Sequence, residues 1–337
     1  MLKLFQSIFG AGSDRSGTYP AELRKRAIER AVEVTDPRIR AVPGYAGKLE
    51  PAVVKAIDHV VRLVESLPPP ILANKAAYGT DNRLSVFFAS AERMAEVIGG
   101  DRALAEFLAS PANVGTQPIP TLLLVDRTER NVLGHALHGD QVQKDVAQVQ
   151  VSFDRHRLLD PSAEEPVMRR MLMRRAFDHI LTVALGRISE LAGERGALEQ
   201  AQAMLRGKLR SLQSARVGFS GEEAKERPDP AALEAQLDEI DAKLEKTGAG
   251  AATLPRHLEI LAGTLAESGK QLWVEPVTLV MDRMGIRQSS PGGTALELQL
   301  HELHNAAGLT AAALPLAIAR DEIQRPDRFA KAAQELL

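Results

Sequence analysis

The longest regular pattern in the sequence is a heptad repeat that runs from Leu181 to Leu212. Its apolar residues recur alternately three and four positions apart, which is typical of helices that pack along a narrow seam. The seam positions are Leu181, Ala184, Ile188, Leu191, Leu198, Leu205, Leu209 and Leu212, with the polar residues Arg195 and Gln202 at two intervening positions. A register that is kept for more than four heptads predicts one long helix with coiled-coil packing.

A second repeat of the same kind follows the polar segment SGEEAKERPDP. Its apolar positions are Leu233, Leu237, Ile240 and Leu244. A short connection between two amphipathic helices favours antiparallel packing. We therefore expect the second helix to fold back on the tip of the first, so that the two form a coiled-coil hairpin. The long helix opens after DPSAEEP, in which Asp160 or Ser162 is the expected N-cap.

Helical patterns also cover much of the chain before this hairpin. Apolar residues recur at helical spacing from residue 20 to residue 67, and the prolines at 68–70 end that region. A single helix is predicted over 82–98, and another over 101–109 with Asp101 as its N-cap. A further short helix is expected at 255–268, after the hairpin.

Strand patterns flank the hairpin on both sides. Two apolar runs lie on either side of the polar stretch Asp126–Arg130, which reads as a turn, and clean alternation then continues through AQVQVSF (147–153). We therefore expect an antiparallel unit of three strands before the hairpin. Three more strand segments follow it, at 271–282, 294–305 and 309–319. The last is ambiguous, because its alanines suit a helix while Pro315 does not.

Together these patterns predict an α+β fold that is predominantly helical, with a small antiparallel β body from which the hairpin protrudes. The expected organisation is an apolar arm and flexible spacer at 1–18, a helical region at 19–112, a β-strand unit at 113–160, the hairpin as an insertion at 161–250, and a region of helix and strands at 251–337.

Composition excludes several classes of function. The chain has no cysteine, so it has no disulfide, no thiolate metal ligand and no cysteine nucleophile. Its net charge of −2 gives no general attraction to nucleic acid. No apolar run approaches the ~20 residues that span a bilayer, and the N-terminus has no long secretory apolar region. We expect a cytoplasmic protein.

The stretch His301-Glu302-Leu303-His304 comes within one residue of the zinc-protease signature. That signature needs two histidines four residues apart on a helix, whereas these are three apart and follow the strand-like alternation of LELQLH (296–301). Residues 301 and 304 of a regular strand point to opposite faces. A structural role is therefore the preferred interpretation.

A second histidine pair, His135 and His138, has the same spacing of three. If the two pairs met across a sheet, His135, His138, His301 and His304 would offer a metal site. We keep a metal-dependent hydrolase or ligand-binding enzyme as an alternative on this ground, although a surface or turn role is again preferred.

Four arginines recur in VMRRMLMRRAFDH, namely Arg169, Arg170, Arg174 and Arg175. The simplest interpretation is a solvated helix face beside apolar core positions. The alternative is a contact surface for an anionic partner, because arginine binds phosphates and carboxylates. Nucleic acid is disfavoured, since there is neither an aromatic platform nor an overall basic charge.

The N-terminal arm MLKLFQSIFG carries an apolar stripe when it is read as a helix, formed by Leu2, Phe5, Ile8 and Phe9. A helix this short is unstable alone in water, and it gains order by laying its apolar face in a groove or on a membrane surface. The groove could belong to this chain, to another subunit or to a partner protein. A single lysine favours a protein groove over a membrane, so a peripheral membrane protein is the third alternative.

No phosphate-binding glycine loop, dinucleotide fingerprint or nucleophile elbow occurs in the sequence. No catalytic residue or cofactor is predicted. We therefore expect a non-enzymatic scaffold, adaptor or assembly protein that acts through the hairpin and the N-terminal arm. Its expected partner is another protein or a second copy of the chain.

Overall fold

The computed structural model describes residues 19–138, 141–217, 230–246, 253–282, 284–288 and 295–323. The fold is α+β and predominantly helical, as the sequence predicts. The chain divides into two compact units. Of the described residues, the sheet unit contains Asp58–Phe177 and those from Gly269 onward. The helical unit contains the described residues before Asp58 and those within Asp178–Ser268. No described helix is both long and apolar enough to cross a bilayer.

The sheet unit is built on one six-stranded sheet. Its strands are β1 (Ile71–Ala73), β2 (Ile119–His138), β3 (Gln141–Leu159), β4 (Leu272–Met281), β5 (Leu296–Asn305) and β6 (Thr310–Ile318). The strand order is β3-β2-β6-β5-β4, all antiparallel, and β1 pairs with β6 in parallel. Strands from before and after the long helix therefore share one sheet.

The expected unit of three strands before the hairpin is wrong, because the structure has two long strands there, β2 and β3. The stretch Asp126–Arg130 is no turn but continues β2. Its charged side chains find partners across the sheet. Arg157 contacts the Asp126 carboxylate at 2.5 Å, and the Arg127 guanidinium contacts Glu302 at 3.0 Å. These ion pairs allow a polar run inside a strand.

A turn after β4 closes the sheet on itself. The backbone N–H of Val151 in β3 donates to Gly285 O, and that of Arg287 donates to Val149 O, both at 2.8 Å. The Asp282 carboxylate shapes this turn by accepting from the N–H groups of Met284 and Ile286, each at 2.9 Å. Residues 285–287 thereby join β4 to β3, and the sheet becomes a ring with an inner face.

The inner face of the ring holds the apolar core of the sheet unit. Its buried residues include Leu123, Val125, Leu298, Leu300 and Leu314. Short helices pack on this core: α3 (Lys75–Tyr78), α4 (Asn82–Phe87), α5 (Ala91–Gly99) and α6 (Arg102–Ala109).

The predicted single helix at 82–98 is in fact α4 and α5. Ser90 separates them, because its side chain caps the second by accepting from Arg93 N. Asp101 is the N-cap of α6, as predicted, and accepts from Ala103 N at 2.8 Å.

Five longer helices complete the fold: α1 (Ala21–Thr35), α2 (Tyr45–Glu65), α7 (Glu165–Val217), α8 (Pro230–Lys246) and α9 (Thr253–Ala266), with the short α10 (Ser268–Gln271) after them. Helix α7 is the predicted long helix. It begins beyond Asp160 and Ser162, so neither is its N-cap; Asp160 instead binds the Arg175 guanidinium at 2.7 Å.

Within the helical unit, α8 and α9 run antiparallel along α7. Gln202 of α7 donates to the Asp241 carboxylate of α8, and Arg195 donates to the Thr253 hydroxyl at 2.6 Å. Nearer the start of α7, Arg187 donates to Thr264 at 3.0 Å. Residue numbers rise along α8 and α9 while they fall along α7, which confirms that the chain folds back. Three leucines of α8 are buried, namely Leu233, Leu237 and Leu244.

Candidate functional site

The histidines of HELH lie on β5 and do not converge. His301 pairs with Ala313 of β6, and His304 pairs with Trp273 of β4 and Thr310 of β6. Positions 301 and 304 fall on opposite faces, because strand side chains alternate. The His301 side chain is half-desolvated, and this burial, with the nearby Arg83, lowers its pKa.

The second histidine pair lies elsewhere along the sheet. Asp126 of β2 is level with Ala311 of β6, which is level with Leu303 of β5. His135 is nine residues beyond Asp126, about 30 Å along the strand at the usual rise per residue. Within the part of the chain that the structure describes, no three His, Asp or Glu side chains are grouped so that they could hold a metal.

At least two of the four arginines predicted as a contact surface bind groups of the protein itself. Arg169 donates to Val64 O, Leu67 O and Pro68 O, so it caps the C-terminal end of α2. Arg175 holds Asp160 through two hydrogen bonds, at 2.7 and 2.9 Å. Arg170 is half-buried and Arg174 is exposed on α7. The predicted docking residues Leu2, Phe5, Ile8 and Phe9 lie outside the described residues.

A polar cluster that the sequence analysis did not assemble lies on the inner face of the ring. Along β2 the inward positions change from Val125 to Arg127 and Glu129, and along β5 they change from Leu300 to Glu302 and His304. On β4 the same face carries Trp273, which pairs with His304. We call Arg127, Glu129, Trp273, Glu302 and His304 the polar end of the ring.

Glu302 is the centre of the polar end, and its side chain is only 1% exposed. The Arg127 Nε lies 3.0 Å from its Oε1, close enough for an ion pair but without hydrogen-bond geometry. The His304 Nε2 lies 3.8 Å from its Oε2. Among the described residues, neither oxygen of the Glu302 carboxylate has a hydrogen-bond partner. The His304 Nε2 has none either.

Burial raises the pKa of the Glu302 carboxyl above its usual range. Arg127 and His304 oppose this shift of the pKa, whereas the carboxylates of Glu129 and Glu275 add to it. Glu129 is itself shared between Arg127, at 3.3 Å, and Arg287, at 3.5 Å. Desolvation therefore dominates, and the carboxyl in this position binds a proton more readily than an exposed one does.

His304 is held in one orientation by two contacts. Its Nδ1 lies 3.1 Å from the Thr310 Oγ1 in a hydrogen bond. Its ring stacks on the Trp273 indole, with centroids 5.4 Å apart and an angle of 19° between the planes. The indole N–H in turn donates to the Glu275 carboxylate at 2.9 Å. An imidazole and a carboxylate are thus positioned side by side in a desolvated setting, which suits binding of a polar ligand.

The polar end was missed because Asp126–Arg130 reads as a turn and because His304 was weighed only with other histidines. One signal in the sequence could have found it. The alternation that places Leu298 and Leu300 inward continues to Glu302, which predicts a carboxylate among core positions. Burying a carboxylate is energetically costly unless it is paired or hydrogen-bonded, so a carboxylate among core positions marks a candidate site.

Comparison with protein-family models, curated proteins and solved structures finds no match to this chain. No residue role is therefore transferred from another protein, and the functional proposals rest on the geometry described above.

Proposed function

We propose that this chain is a non-enzymatic cytoplasmic scaffold or adaptor whose interaction surface is the hairpin of α7 and α8, acting as a coiled coil. The observation that carries the proposal is the burial pattern of α7. The seam positions of this helix are half-buried, and most of the residues between them are exposed. These half-buried positions are Leu191, Arg195, Leu198, Gln202, Leu205 and Leu209.

This pattern supports a role in binding because two helices bury only part of a seam. In the part of α7 that α8 accompanies, the seam leucines keep some contact with solvent, and Met204 beside them is 63% exposed. A further helix, from a partner or from a second copy, would remove that remaining apolar surface from water, which is the main driving force of such association.

The polar seam residues support a hairpin with one defined alignment. Gln202 binds Asp241, and Arg195 binds Thr253 as well as Glu199. Polar residues at seam positions are known to specify register at some cost in stability. A helix of 53 residues is also about 80 Å long, which is suited to setting distances between bound proteins.

The proposal is tested by placing a charge on the seam. Leu205→Arg should abolish self-association or partner binding, because it puts a guanidinium where an apolar contact is needed. Ala203→Arg makes the same change at an exposed position two residues away and should preserve binding. Light scattering after size exclusion measures self-association, and affinity purification with each variant measures partner retention.

Circular dichroism and limited proteolysis of both variants show whether the helices remain formed. The proposal fails if the parent protein is a monomer that retains no partner. It also fails if Leu205→Arg assembles and binds as the parent does.

A further inference from the structure

We infer that the polar end of the ring is a binding site for a small primary ammonium ion, such as the head group of a short alkylamine. This function is separate from the proposed scaffold role, because all the residues involved belong to the sheet unit and none belongs to the hairpin.

The first observation is a pair of buried polar atoms that have no hydrogen-bond partner among the described residues. The Glu302 Oε2 and the His304 Nε2 are buried, lie 3.8 Å apart and have no hydrogen-bond partner among the described residues. One donor atom placed about 2.8 Å from both would be within hydrogen-bond reach of each. A primary ammonium carries several N–H donors on one atom, so it can serve both acceptors at once.

The second observation is the charge balance. The Glu302 carboxylate lies near the carboxylates of Glu129 and Glu275 and the guanidinium of Arg127. Arg287 pairs with Glu129, so this group of side chains holds three carboxylates and two guanidiniums when His304 is neutral. Arg127 approaches Oε1 of Glu302, so the free side of that carboxylate is Oε2. A monovalent cation next to Oε2 would complete the pairing of charges.

The proposal requires one tautomer of His304, because the hydrogen bond between its Nδ1 and the Thr310 hydroxyl fits either tautomer. If its Nδ1–H donates to the Thr310 hydroxyl, Nε2 carries a lone pair and accepts from the ammonium. The stacked Trp273 ring holds the imidazole in that orientation. A quaternary ammonium has no N–H group and would leave both acceptors unpartnered, so the site should discriminate between the two kinds of cation.

The single tryptophan of the chain, Trp273, reports binding directly. We would titrate the full-length protein with methylammonium chloride, tetramethylammonium chloride and sodium chloride at constant ionic strength and follow the tryptophan fluorescence. The expected result is a saturable change with methylammonium alone. Equal responses to all three salts would show an effect that does not depend on the cation and would overturn the proposal. No response to any of them would show that methylammonium does not bind beside Trp273, and would overturn it too.

A matched pair of variants on β5 locates the site. Glu302→Gln keeps the size of the side chain but removes its charge, and should weaken methylammonium binding at least tenfold. Glu297→Gln makes the same change at an exposed position on the opposite face, and should bind as the parent does. Unchanged binding by folded Glu302→Gln protein would exclude this carboxylate.

The pH dependence of the parent protein tests the same point without a substitution. Binding should weaken as the pH falls through the pKa of the Glu302 carboxyl, because the protonated form no longer attracts a cation. The neighbouring Arg127, Glu129, Glu275 and His304 shift the midpoint. Binding that stays constant from pH 8 to pH 4 would contradict the proposal. Because none of these measurements depends on the hairpin, their failure is distinguishable from failure of the scaffold function.

Discussion

At the scale of single residues, each unit contains buried carboxylates, such as Glu302 in the sheet unit and Asp36 in the helical unit. In the helical unit the Asp36 carboxylate accepts from the Arg38 side chain at 2.9 Å and lies 2.8 Å from His257 Nδ1. The hydrogen bond from Arg38 is the main reason that the pKa of Asp36 is lowered from 3.8 to about 2, and the hydrogen bond with His257 contributes further. This pair joins the segment after α1 to α9, so its protonation state bears on the stability of the unit.

We predict that Asp36 makes the stability of the helical unit depend on pH in the acid range. A carboxyl whose pKa is lowered by folding contributes stability above its unfolded pKa of 3.8, and the contribution is lost as the pH falls toward 2. The magnitude is on the order of 2 kcal/mol.

Urea denaturation at several pH values checks this prediction. Asp36→Asn should be less stable than the parent at pH 7, and the difference should shrink below pH 4. Asp238→Asn changes an exposed carboxylate on α8 and is the control, with no such pH-dependent difference. A gap between parent and Asp36→Asn that is the same at pH 7 and pH 2.5 would refute the assignment.

At the scale of elements, the turn after β4 has a strict steric requirement, because its glycine lies against the backbone of β3. Gly285 adopts a φ of +79°, and a Cβ added there would lie 2.7 Å from the carbonyl oxygen of Val151. The same glycine supplies the carbonyl that receives the Val151 N–H. The contact that closes the sheet therefore depends on the absence of a side chain.

Gly285→Ala should destabilise the sheet unit by more than the ~1–2 kcal/mol that a left-handed backbone alone costs an alanine, because the Cβ also collides with β3. Gly263→Ala is the matched control, since Gly263 lies in α9 with open space around its Cβ position. That substitution should be neutral or stabilising by up to ~1 kcal/mol. Chemical denaturation measures both; equal stability of the two variants would argue against closure through this turn.

At the scale of the whole molecule, the sheet unit is assembled from two distant parts of the sequence. Strand β6 pairs with β2 over eight residue pairs, from Ile119↔Ile318 to Asp126↔Ala311. The segment after β4 pairs with β3 as well. The two parts are therefore joined by backbone hydrogen bonds and by a shared core, independently of the chain that links them.

We predict that the protein survives a cut between α7 and α8. A protease site introduced within residues 218–229 should be cleaved without separating the fragments, because the shared sheet and core hold them together. The fragments should co-elute on size exclusion under native conditions and separate in denaturant. Native elution as two separate species would show that the continuous chain is needed to keep the sheet together.

The sequence alone determined the features that depend on local pattern. The 3–4 repeat from Leu181 onward predicted α7, and the second repeat predicted a helix that returns along it. Asp101 was recognisable as a cap because an aspartate ahead of a helical apolar pattern accepts from the first free N–H groups. The alternation through residues 296–301 correctly indicated a strand, and it argued against a zinc site in HELH.

Only the tertiary structure decided which residues meet across the sheet. The polar stretch Asp126–Arg130 became part of a strand because Arg157 and Glu302, distant in sequence, neutralise its charges. Pro315 is tolerated in β6 because the pairs with β5 end at Ala313 and those with β1 begin at Leu316, which leaves its position without a strand neighbour on that side. The polar end of the ring arises in the same way, since register brings β2, β4 and β5 together and local pattern carries no information about register.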